Sequence, residues 1–175
     1  MGIGIQFYLM APLLGVASIL QTTTANRLVV AGVKPDLVLL IVVIWTLIYG
    51  GSSGVIWAFV GGIWLDIFSG GPMGISSLSL MTAAVVASFG HRTFSRFNLL
   101  VPILAIVLGT LSFSFTYLGV LQILAMLDVS QGALPFQQTF DNIVAPSVLY
   151  NTTLMLIAMP FLNRIPDNYA AERNL

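Results

Sequence analysis

The sequence predicts an all-α polytopic membrane protein: a single integral domain, residues 1–175, built as a bundle of about six transmembrane helices. Composition is the first observation behind this. Of the residues, 58% are hydrophobic and 7% are charged, whereas a soluble domain carries roughly 25% charged residues to cover its surface. The second is where the charges fall. None occurs between Asp36 and Asp66, between Asp66 and His91, between Arg96 and Asp128, or between Asp141 and Arg164. Each gap can hold an apolar span of about 20 residues, enough to cross ~30 Å of hydrocarbon. The third is punctuation: turn-forming Gly, Pro and polar clusters separate the apolar runs.

The first span is expected over 5–24, closed by "QTTTANR". It lacks a preceding basic residue and a clear small-residue cleavage site, so it is expected to be a retained helix rather than a cleaved signal. Pro35 and Asp36 read as a helix start, with the aspartate capping free N–H groups of a second span over 36–49. "GGSSG" separates this from a third span over 54–68, and the knot "SGGPMG" turns the chain into a fourth over 73–89. After the basic connection "HRTFSRFN", the stretch 99–127 is longer than one span needs, about 43 Å as a straight helix. It is expected to tilt, kink or project beyond the bilayer, with Gly109 and Gly119 as the places to bend. A polar connection then leads to the last span over 143–162 and a polar tail.

With six spans both termini share one side, which then holds Arg92, Arg96, Arg164 and Arg173; the other side holds Arg27 and Lys34. The excess of basic residues places both termini in the cytoplasm. Asp66 then lies in the last turn of the third span. There the negative end of its own helix repels it and lipid desolvates it, so it is expected to point inward or take a partner. Arg27, or else Lys34, is the expected ion-pair partner. The bland alternative is that Asp66 marks where the helix meets water. Gly70, Gly71, Pro72 and Gly74 specify a tight hairpin after it, which favours an architectural role.

Further along, Ser76, Ser79, Ala83, Ala87 and Gly90 recur at three- and four-residue steps and give the fourth span a small helix-packing face. Thr110, Ser114 and Tyr117 share a face of the fifth span, and their plain reading is hydroxyls bonded within the bundle. Catalytic machinery is missing. The chain has no cysteine, one histidine (His91, in the basic connection and read as solvated) and one glutamate, Glu172. No metal or cofactor set can be assembled, and a Ser76 or Ser77 nucleophile would lie at the opposite membrane face from His91. Zero net charge gives no argument for nucleic acid.

Two stretches, "KPDLVLLIVVIWTLIYG" and "GVIWAFVGGIWLDIFSGGPMGISSLSL", resemble the rod shape-determining protein MreD family of bacterial inner-membrane proteins. Pro35, Asp36 and Leu37 match one family motif. Gly62, Asp66, Ser69, Gly70, Pro72 and Gly74 match a second, with Met73 standing where leucine is expected. The resemblance implies a non-enzymatic membrane scaffold or adaptor of the elongation machinery, the elongasome, which supports rod shape and lateral cell-wall synthesis. It implies binding to the bitopic protein MreC and, through it, to MreB filaments and the RodA/transpeptidase synthase. It also implies a fold similar to the substrate-binding components of energy-coupling-factor transporters. That likeness supplies an alternative function, capture of a vitamin-type solute in a pocket lined by Trp45, Trp57, Trp64 and the fifth-span hydroxyls. Interfaces or bundle packing are the commoner places for such tryptophans.

Overall fold

A computed structural model describes residues 3–24, 35–91, 99–127 and 136–162, and all of these segments are helical apart from short turns. In chain order the helices are α1 (Ile3–Thr24), α2 (Leu37–Tyr49), α3 (Gly51–Ser69), α4 (Ile75–His91), α5 (Leu100–Met126), α6 (Phe136–Thr139) and α7 (Ala145–Leu162). A π-helical turn, Phe140–Val144, joins α6 to α7 without a break, so the last three pieces form one span. Leu100–Met126, Gly51–Ser69 and Phe140–Pro160 are each long and apolar enough to cross a membrane; Leu9–Thr23, Leu37–Tyr49 and Ile75–His91 are shorter apolar helical stretches. Large side chains such as Leu9, Phe89, Ile123 and Leu149 stand exposed on the outside. In water such a surface would collapse, whereas in hydrocarbon it costs nothing.

The core is built around α2, whose Val38, Leu39, Val42, Val43 and Leu47 are fully enclosed. Around it α3 packs on α1, α2 and α4, while α5 packs on α4 and α7. The α3–α4 pair is the tightest, because a Cβ at Gly62 would collide with the backbone of Ser77. In lipid, where no hydrophobic drive pulls helices together, such close backbone approach is a main source of association. Ser79, Ala83 and Ala87 of α4 are buried inside the bundle, and Gly90 stands against Leu47 and Val101. Hydroxyls in the spans turn back on their own helices. Ser18 donates to the Leu14 carbonyl, Thr46 to Val42 and Ser79 to Ile75, at 2.7–2.8 Å.

Three expectations need correction. The separator between α2 and α3 is Gly50 alone, with φ 93°, and not the five-residue "GGSSG"; helix resumes at Gly51. The long fifth stretch runs as one uninterrupted helix of 27 residues, about 40 Å. Its Gly109 is a packing contact against Val43, and Gly119 faces open space. Helix also begins earlier than expected before the last span, at Phe136. In the π turn the Ala145 N–H donates to the Phe140 carbonyl, five residues back. Pro146, lacking an N–H, cannot restore the ordinary ladder there.

Because the Gly62 contact is with backbone, which cannot swing aside, Gly62→Val should lower thermal stability far more than Gly119→Val. Melting of both variants in the same detergent checks this; equal losses would contradict the packing described.

Candidate functional site

Two polar assemblies lie at the end of the bundle where α1 and α3 finish and α2 and α4 begin. The first is centred on Asp66. Gly70 closes α3 in the left-handed conformation (φ 68°), Pro72 follows, and Gly74 takes φ 93° before α4 starts at Ile75. This reversal brings the free N–H groups at the start of α4 back onto the last turn of α3. Asp66, only 3% exposed, accepts there from the Gly74 N–H (2.7 Å), the Ser76 N–H (3.0 Å) and the Ser77 hydroxyl (3.4 Å). The carboxylate therefore sits at the positive end of α4's dipole, which offsets the unfavourable end of α3. Hydrogen bonds to a charged acceptor each stabilise by about 1.5–3 kcal/mol. Asp66 points inward, and two backbone N–H groups and one hydroxyl compensate its charge. Arg27 and Lys34 lie outside the described residues. Gly71 completes the turn with its N–H directed at the Ser69 hydroxyl, 3.4 Å away.

The second assembly ties four helices together. The Gln21 side-chain amide of α1 donates to Asp36 Oδ1 (2.9 Å), while its carbonyl accepts the Val38 N–H (3.1 Å). The Asp36 N–H donates to the Asn151 side-chain oxygen of α7 (3.2 Å), and the Asn151 amide donates to Thr110 Oγ1 of α5 (3.2 Å). Thr110 in turn donates to the Ile106 carbonyl. Asp36 stands at the N-cap position of α2 but makes no side-chain capping bond; Gln21 caps in its place. Asn151 is 1% exposed and Thr110 2%, so each bond replaces water that lipid cannot provide. Sequence reasoning missed Gln21 and Asn151, since neutral amides form no motif and break no hydropathy window.

Between these assemblies lies a cleft of about 470 Å³. Gln21, Asp36, Ser69, Ser76, Thr110, Ser114 and Tyr117 line its polar wall, and Leu65, Phe113, Leu118, Leu121 and Ile143 its apolar wall. The fifth-span hydroxyls thus face a common space, but no tryptophan does. Trp45 donates to the Ser53 hydroxyl (2.9 Å) and packs edge-on against Trp57, while Trp64 stacks on Phe68 and touches Gly15. The three rings pack in the bundle, and none joins the lining that the alternative function required. His91 also departs from its reading as a solvated residue. Its Nδ1–H donates to the Leu47 carbonyl at 2.7 Å, closing the C-terminal end of α2. The ring lies at the opposite end of α4 from Ser76 and Ser77. No group of three or more metal-ligating side chains occurs among the described residues.

A family model described as "rod shape-determining protein MreD" matches residues 1–165. No curated protein and no solved structure matches the chain, so the expected likeness to transporter substrate-binding components finds no structural counterpart.

Replacing the Asp66 carboxylate should destabilise through the start of α4. Asp66→Ala is expected to cost about 2–3 kcal/mol, and Asp66→Asn less, because its amide oxygen still accepts one N–H. Equilibrium unfolding in mixed micelles measures both, and equal losses for the two variants would contradict the hydrogen-bond geometry. Asn151→Leu, nearly isosteric, should leave the buried Asp36 N–H without an acceptor and take from Thr110 the hydrogen bond it accepts, destabilising by about 1–3 kcal/mol. A neutral effect would show that the network carries no stability.

Proposed function

This chain belongs to the rod shape-determining protein MreD family, an integral membrane protein with a role in rod shape determination, and from that premise we propose that it acts as a non-enzymatic scaffold of the elongation machinery. One observation carries the reading beyond the family: the buried Asp66, Asp36 and Asn151 side chains and the His91 ring hold helices to one another. Asp66 is consumed by the start of α4, Asp36 and Asn151 by the α1–α2–α5–α7 network, and His91 by the end of α2. A general base needs a group free to exchange a proton with substrate. A rigid assembly with a broad apolar exterior instead suits docking of another membrane helix.

The partner in this reading is MreC, a bitopic protein, reached through its single span, with MreB filaments and the RodA/transpeptidase synthase joined indirectly. Exposed Leu149, Ile157, Ile123 and Phe115 on α5 and α7 offer lipid-facing surface for such a helix. The protein resides in the bacterial inner membrane with both termini in the cytoplasm, following the distribution of Arg92, Arg96, Arg164 and Arg173 against Arg27 and Lys34. The Asp66 turn and the cleft then face the outer side. Asp66 and its turn act by keeping α3 and α4 in register, so that the partner meets a fixed surface.

Co-expression with the cell's own MreC, followed by affinity purification in mild detergent, tests this. A stable complex is expected, its yield falling in Asp66→Ala in proportion to the loss of folded protein. Purification of the folded chain without MreC, at concentrations where the pair is co-expressed in excess, would overturn the scaffold proposal.

A further inference from the structure

We draw no further inference here: the strongest candidate, the cleft of about 470 Å³ between the Asp66 turn and the Gln21–Asp36–Asn151 network, is lined by hydroxyls and apolar side chains that suit solutes and lipids alike, and nothing in the structure shows what fills it.

Discussion

A helix that begins inside a membrane bundle exposes N–H groups that neither its own backbone nor lipid can satisfy. Here that requirement falls on α4, whose start is folded against the last turn of α3, and Asp66 meets it. The same contact resolves the problem of Asp66 itself, a carboxylate at the wrong end of its own helix. Two destabilising features are placed so that each removes the other. The Gly70–Gly74 turn exists to make that geometry possible, since it reverses the chain fast enough for Ser76 to reach a residue only ten positions earlier. The Gly62–Ser77 backbone contact then locks the pair along its length.

The Gln21–Asp36–Asn151–Thr110 network applies the same logic to the other helices. It fastens α7, which packs chiefly on α5, to the start of α2. Because these bonds are buried at one end of the bundle, the helices there are held apart at a fixed distance instead of collapsing together. The cleft is the space that results. Architecture and candidate site are therefore one construction: the polar groups that close the helix ends also define the cavity wall.

Much of this was legible in the sequence. Long uncharged intervals located the helices, and the isolated aspartate with its glycine–proline knot marked the turn that matters. What the sequence could not give was the identity of the partner. Charge arithmetic counts side chains, so it offers Arg27, which lies outside the described residues; the two backbone N–H donors on Asp66 are invisible to composition. Asp36 was placed correctly at a helix start, but the capping group came from Gln21, fifteen residues earlier. Asn151 has no signal at all, since one amide in an apolar helix shifts hydropathy little. The early start of the last span was hidden for another reason: a π turn has no residue signature. His91 looked solvated because its neighbours in sequence are basic; its ring packs over Gly50, which is remote in sequence.

Membership of the MreD family and a bundle whose Asp36, Asp66 and His91 are bonded internally both fit a protein that works by holding a shape. Amide hydrogen exchange at Gly74 and Ser76, measured on the intact protein in lipid nanodiscs, tests that most directly. If Asp66 holds both N–H groups, they exchange as slowly as the amides in the middle of α4. Exchange at the rate of an open, solvated turn would contradict the account.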